Sequence, residues 1–409
     1  MKILITSREA LFPNIGGHRE YLLETIKGLI AYGNTIDVLS WGSEENYTYN
    51  EKNINEYHFN SESDKLSENN NLKFIKDFAS SIGIGQIHTI KHKGLDIRYG
   101  KNLLNDYDII IKNGPDSNGI ANFIGSKLQI SVIERLDWVG LPYRSKYYKL
   151  WLNYIDKHYM PYNYFNKYFD AKITKLEAKS AKADFVYTPT KTDMLKISTF
   201  IEKNKVDYIY PFLYAEVYKE RENPEELING KYILFYSTPS INSYEAIKYI
   251  YKISRLHQEI KFVITGNFEN LKTIFSRENL IFLGELPIEK FYEILNNAYF
   301  VILPLTKGHG IQMKLIRAFS FSKAVIANDG ILKPISDLVN DNEDIIIGYK
   351  PLEFLDKLLY LYEDESLVEK IGRNSYKLYH ERFSPDKNIK KLNEYLEFCK
   401  NKYEINVHQ

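Results

Sequence analysis

Short apolar runs, each followed by a stretch of helical periodicity, recur from one end of this chain to the other. In the first half they are Ile3-Leu4-Ile5, Ile36-Asp37-Val38-Leu39, Ile109-Ile110-Ile111, Ile130-Ser131-Val132-Ile133 and Phe185-Val186-Tyr187. In the second half they are Tyr232-Ile233-Leu234-Phe235, Phe262-Val263-Ile264, Ile281-Phe282-Leu283, Phe300-Val301-Ile302-Leu303, Ala324-Val325-Ile326-Ala327 and Asp344-Ile345-Ile346-Ile347. Runs of this kind suit strands buried on both faces of a parallel sheet, since a half-exposed strand would alternate with polar residues. Parallel neighbours need a crossover, and the intervening helical patterns supply one. Residues 245–257 show it: Ala246, Ile247, Tyr249, Ile250, Ile253 and Leu256 fall on one side. The expected fold class is α/β.

A chain of 409 residues is long for a single core. Domains usually hold roughly 100–200 residues, so two are expected. The alternation is interrupted once, where Glu220-Arg221-Glu222-Asn223-Pro224-Glu225-Glu226 forms a charged, proline-broken stretch. That stretch reads as a linker over 214–230. It separates a Rossmann-like domain over 1–213 from a second over 231–384, and a C-terminal helix follows over 385–409. The polar stretch from Asn46 to Asn71 is expected to be a long loop with little regular structure.

Charge and composition exclude several classes. The net charge is +1, so no global field argues for a nucleic-acid partner. The single cysteine, Cys399, excludes an internal disulfide framework and fits a reducing compartment. The start of the chain lacks the apolar core of a signal peptide, and no run reaches about 18 apolar residues. A cytoplasmic location is therefore expected. From Pro142 to Lys172 the chain mixes Arg144, Lys146, Lys149, Lys157 and Lys167 with many tyrosines, Trp151, Phe165 and Phe169. Two readings stand side by side. One is a peripheral membrane or glycan contact through 142–172. The other is a helical hairpin with its aromatics packed inward, broken at Pro161.

Several motifs bear on chemistry. Ile15-Gly16-Gly17 follows the first strand and leads into a helix near His18. Glycines there let the backbone approach a ligand, and a helix start offers N–H groups to an anion; the alternative is a plain turn. Asp106-Tyr107-Asp108 has the D-x-D form of a metal site, but it begins a strand, whereas ligands of doubly wound sheets gather at carboxyl ends. It reads as a solvated turn. Gly119 to Lys127 misses the Walker spacing by one residue. His88 and His92 lack an evident third ligand, so no metal site is expected. Asp137, in Glu134-Arg135-Leu136-Asp137-Trp138, lies just past a strand, where a carboxylate could take a proton from a hydroxyl nucleophile; a helix cap is the alternative. Lys307-Gly308-His309-Gly310 leads into Ile311-Gln312-Met313-Lys314-Leu315-Ile316-Arg317-Ala318. His309, Lys314 and Arg317 at a glycine-rich helix start make a diphosphate cradle; a solvated basic face is the alternative.

Through residues 176–189, 235–247, 262–267, 281–286 and 317–327, taken in that order, the chain resembles the retaining GT-B glycosyltransferases of the glycosyltransferase 4 group. Phe235-Tyr236-Ser237-Thr238-Pro239-Ser240-Ile241-Asn242-Ser243-Tyr244-Glu245-Ala246-Ile247 is similar to the first strand and loop of that group's C-terminal domain. Phe262-Val263-Ile264-Thr265-Gly266-Asn267 and Ile281-Phe282-Leu283-Gly284-Glu285-Leu286 are similar to its next two strand ends. Residues 317–327, from Arg317 through Lys323-Ala324-Val325-Ile326-Ala327, resemble its "E-A-M-A-x-G-K-P-V-I-A" signature. Leu176-Glu177 through Ala183-Asp184-Phe185-Val186-Tyr187-Thr188-Pro189 resembles a motif of its first domain.

The resemblance implies two Rossmann-like doubly wound domains with a cleft between them, and no metal or other cofactor. It implies transfer of a hexose-type sugar from a nucleotide-diphosphate sugar to a hydroxyl of a glycan, lipid-linked glycan or protein, in glycan or polysaccharide biosynthesis. Gly16, Gly17, Thr238, Gly266, Glu285, His309, Gly310, Ile311, Gln312, Met313, Lys314 and Arg317 would hold the donor. His18, Glu134 and Trp138 would meet the acceptor, with Asp137 as base. Two departures stand out. The group's E-x7-E pair falls on His309 and Arg317, and its basic pair after Phe235 is absent. Lys314 matches a lysine of some subgroups. The alternative is a pseudo-glycosyltransferase that keeps the fold and serves as a binding or partner subunit.

Overall fold

Each of the apolar runs forms or overlaps a strand. The computed structural model describes residues 1–7, 17–41, 47–49, 54–59, 107–113, 128–132, 143–144, 146–155, 183–214, 228–308 and 310–407. The chain forms two units: residues 1–141, 163–211 and 385–409 make the first, and residues 142–162 and 212–384 the second.

The first unit opens with β1 (Lys2–Ser7), α1 (Gly17–Ala31), β2 (Thr35–Trp41), β3 (Tyr47–Tyr49), β4 (Ile54–Phe59), β5 (Ile109–Asn113) and β6 (Gln129–Val132). Next come β7 (Tyr143–Arg144) and α2 (Tyr148–Ile155), which belong with the second unit. The first unit resumes with β8 (Phe185–Thr188), α3 (Lys191–Ile197) and β9 (Val206–Tyr208). Its sheet runs β3-β4-β2-β1-β5-β6-β8-β9. The β3–β4 pair is antiparallel. The remaining pairs are parallel. Ile3, Leu4, Ile36, Val38, Ile109, Ile110 and Ile130 are fully buried, as strands covered on both faces require.

The stretch expected as an irregular loop, 46–71, contains β3 and β4. Its polar composition suited a loop, but it also carries Tyr47, Thr48, Tyr49, Ile54, Tyr57 and Phe59, types that favour strands. Pairing with β2 settles the matter for β4, because it satisfies the backbone groups of an otherwise open edge.

Two strand starts are fastened in the same way. The Lys2 amide donates to Asp108 Oδ2 at 2.8 Å, and the Asp108 amide donates to the Lys2 carbonyl at 2.8 Å. Gln129 and Asp184 repeat the exchange at 2.8 and 2.9 Å. Asp108 of the D-x-D-like motif is thus a clasp at the amino edge of the sheet. The Lys2 amide, aided by Lys400, holds its carboxyl below the usual carboxylate range.

The second unit continues with β10 (Ile233–Tyr236), α4 (Ile241–Leu256), β11 (Phe262–Thr265), α5 (Glu269–Phe275), β12 (Leu280–Gly284), α6 (Ile288–Asn297) and β13 (Phe300–Leu303). Then come β14 (Lys307–Gly308), α7 (Met313–Ser320), β15 (Val325–Asn328), α8 (Asp329–Leu332), β16 (Ile346–Gly348), α9 (Pro351–Glu363) and α10 (Glu365–Leu378). Its sheet runs β12-β11-β10-β13-β15-β16, parallel throughout.

The division differs from the one expected from sequence at two places. The final helix, α11 (Pro385–Val407), belongs with the first unit. Ile389, Leu392, Leu396 and Cys399 form its buried stripe, spaced three and four apart. Tyr395 donates to the Val186 carbonyl at 2.8 Å, and Lys391 pairs with Asp207 at 3.1 Å. Residues 142–162 go to the second unit because α2 packs there. Trp151 is 0% exposed and meets the rings of Tyr249 and Phe354, with centroids at 4.9 and 5.6 Å. The inward-packed reading therefore holds at Trp151 and at buried Ile155. Residues 156–172 lie outside those described. Among the described residues, no helix is long and apolar enough to cross a membrane.

Candidate functional site

The second unit's sheet is doubly wound about β10. Its neighbours β11 and β13 stand on either side, so the topological switch point falls between β10 and β13. Ligands of open α/β sheets bind at such a point, beyond the carboxyl ends of the strands. Two loops leave the sheet there: 237–240, entering α4, and 304–312, entering α7.

The first loop is a hydroxyl network. Ser240 caps α4 by accepting from the Ser243 amide at 3.1 Å, as its position before an apolar-periodic segment dictates. Ser243 Oγ donates to the Thr238 carbonyl at 2.8 Å and lies 2.8 Å from the hydroxyls of both Ser237 and Ser240. Lys314 joins this network from the second loop's helix. Its Nζ donates to Ser237 Oγ at 2.6 Å, while Tyr236 Oη donates to the Lys314 carbonyl at 2.5 Å. A cation half-exposed at the first turn of α7 is thus held across the switch point. It adds its charge to the positive end of the helix dipole.

The edge beside it is built by glycines. Gly266, just after β11, has φ +123°, and a Cβ there would lie 2.1 Å from the Ser237 carbonyl oxygen. Its amide donates to the Gly284 carbonyl at 2.8 Å. Glu285 and Thr238 are exposed on the same carboxyl edge. Gly310, with φ +58°, turns the chain into α7, and the Gln312 side chain makes no cap for that helix.

Arg317 sits differently from Lys314. It is 8% exposed, its Nη1 donates to Tyr292 Oη at 2.6 Å, and its guanidinium lies 5.1 Å from that ring's centroid. It is tied to α6, although the one-turn spacing suggested a face shared with Lys314. Met313 is buried, and Ile311 and Gln312 are half-buried. His309, Gly16, Glu134, Asp137 and Trp138 lie outside the described residues. Gly17 and His18 open α1. His88, His92, Asp106 and residues 119–127 likewise fall outside.

Other groups went unread in the sequence. Glu245 on α4 is buried and pairs with Lys307 at 3.8 Å. Burial pushes its carboxyl up, against the opposing pull of Lys307 and Thr306. In the first unit the sheet order reverses between β1 and β5, where Ser7 stands opposite Asn113 and Thr6 opposite Lys112. All four are buried, and among the described residues Thr6 Oγ1 and Asn113 Nδ2 have no hydrogen-bond partner. The available signal was a lysine and an asparagine ending an apolar run. Among the described residues no group of three or more histidine, cysteine or acidic side chains could hold a metal ion.

Two doubly wound units, each built on a largely parallel sheet, give the GT-B fold. Residues 230–364 match the family model described as glycosyl transferases group 1. Similar solved structures span nearly all of the chain. Sucrose-phosphate synthase from Thermosynechococcus elongatus aligns with TM-score 0.70 and 11% identity, covering 97% of this chain and 98% of the other. Anabaena HepE in complex with UDP aligns with TM-score 0.64 and 13% identity, covering 97% and 100%. WaaG, a glycosyltransferase involved in lipopolysaccharide biosynthesis, aligns with TM-score 0.59 and 12% identity, covering 96% and 99%. No curated protein sequence matches.

Proposed function

We propose that this chain is a glycosyltransferase that moves a hexose-type sugar from a nucleotide-diphosphate sugar to a hydroxyl acceptor. The observation that carries the reading is the Lys314–Ser237 bond at the switch point, which holds a cation at the first turn of α7. A leaving diphosphate gains negative charge as the sugar departs. A fixed ammonium and the N-terminal end of a helix stabilise that charge without reorganising. The structural neighbours support the donor class: HepE was solved with UDP-glucose, and TarM with UDP and α-GlcNAc-glycerol.

In this reading Lys314, Thr238, Gly266, Glu285 and residues 309–313 receive the donor, with Gly16 and Gly17 closing on it. Arg317 stiffens α7 through Tyr292. Asp137 takes the acceptor's proton, and His18, Glu134 and Trp138 orient a glycan or lipid-linked acceptor. The resembled group implies retention of configuration and no metal.

A panel of nucleoside diphosphates and their sugars tests this by thermal shift and by donor turnover. Any ligand of the native state raises apparent stability. Asp137→Asn should cut turnover by about 100-fold or more while nucleotide binding survives. No shift with any nucleotide at saturating concentration would sink the proposal. One observation favours a second reading, a fold kept for binding alone: a buried arginine stands where the resembled group has a hydroxyl-accepting glutamate. Nucleotide binding without turnover on any acceptor would select it.

A further inference from the structure

The excursion at residues 142–162 leaves the order of the first sheet to join the second unit, and it makes three separate attachments there. β7 pairs antiparallel with β14, Arg144 opposite Lys307 and Tyr143 opposite Gly308. The Lys146 amide donates to Asp329 Oδ2, on the first residue of α8, at 3.0 Å. Trp151 is wedged against Tyr249 and Phe354, its Nε1 donates to the Tyr349 carbonyl at 2.8 Å, and Lys252 donates to the Tyr154 carbonyl.

β14 is held by α4 as well. Asn242 donates to the Lys307 carbonyl, and Glu245 pairs with the Lys307 ammonium at 3.8 Å. A Cβ at Gly308 would stand 3.1 Å from Ile331 Cα, so this backbone runs hard against α8. A pair of two-residue strands is too short to persist by its own hydrogen bonds. Its presence here follows from these additional anchors on β7 and β14. Two residues beyond Gly308 the chain turns at Gly310 into α7 and Lys314.

We propose that residues 143–155 are a clamp that fixes the Lys307–Gly308 ledge and so sets how the loop enters α7, with Trp151 and Asp329 as positioning residues for the Lys314 site. The ligand half of this proposal rests on the nucleotide-sugar reading; the mechanical half does not. A loop ordered before binding spends none of its affinity on ordering, whereas a loose one loses affinity to it.

Two readouts on the full chain test it: amide hydrogen exchange over 143–144 and 307–308, with β11 as internal reference, and UDP affinity by calorimetry. Asp329→Ala removes an anchor on a half-exposed side chain. It should speed exchange on the ledge about tenfold, leave β11 unchanged and weaken UDP about tenfold. Asp329→Asn keeps a carbonyl acceptor and should restore both. Trp151→Phe keeps a ring but loses the N–H bond, and should move both readouts in the same direction as Asp329→Ala. Unchanged ledge exchange in both Asp329→Ala and Trp151→Phe overturns the clamp. So does equal acceleration in β11, which would mean general unfolding. Faster ledge exchange with unchanged UDP affinity overturns the positioning role. If the unaltered chain binds no nucleotide, the functional proposal fails instead, and ledge exchange still decides the clamp.

Discussion

Gly266 shows how much a single backbone position can decide at the sheet's carboxyl edge. Its φ of +123° and the approach of Ser237 leave no room for a Cβ. Gly266→Ala should therefore cost about 3 kcal/mol or more of unfolding free energy, from positive-φ strain and a steric clash together. Denaturant melting checks this, and a loss below about 1 kcal/mol would show that the loop relaxes freely. Arg317 makes the complementary case. Its side chain is buried and bonded to Tyr292, so Arg317→Ala strips a charge-assisted bond from the second unit's interior. A stability loss of about 2 kcal/mol is expected. A variant that melts like the parent would show that the pair carries no structural load. Gly266 was legible from the motif at its strand end. The burial of Arg317 was not, because helical spacing shows which residues share a face but not which neighbouring helix offers a hydroxyl.

At the scale of elements, the clasps at the strand starts carry a pH signature. The folded pKa of Asp108 lies below its ordinary value, chiefly because the carboxylate accepts from the Lys2 amide. A depressed carboxyl stabilises the fold above its unfolded pKa of about 4, and that contribution is lost as pH falls through the folded value. Asp108→Asn should flatten part of the acid limb of the melting-temperature profile while changing little near neutrality beyond the lost bond. The side chain is about a third exposed, so added salt should shrink the difference. An unchanged acid limb would remove the clasp from the account. The strands themselves were legible because burial on both faces leaves a continuous apolar signature. β3 and β4 were not, since the edge strand β3 and its neighbour β4 carry no such continuous run. α11 was legible as a helix, but its return to the first unit was not. Its buried stripe shows that it packs, and only the tertiary partners Val186, Tyr187 and Asp207 show where.

For the whole molecule, the two doubly wound units and the GT-B class followed from the alternation and the order of motifs. The candidate site was only partly legible. Lys314 could be read as a residue of a glycine-rich helix start, and the structure adds the hydroxyl network that holds it. Glu245, Lys112 and Asn113 lay hidden because each is an ordinary residue in sequence, made unusual only by burial. The central claim is that the carboxyl edge around Lys314 binds a nucleoside diphosphate. Calorimetric titration of the unaltered chain and of Lys314→Ala with nucleoside diphosphates of each base tests it most directly. Binding by the parent that weakens about 10- to 100-fold in Lys314→Ala, with the fold intact, is the expected result for a lost charge-assisted contact. Equal affinity in the two proteins would contradict it.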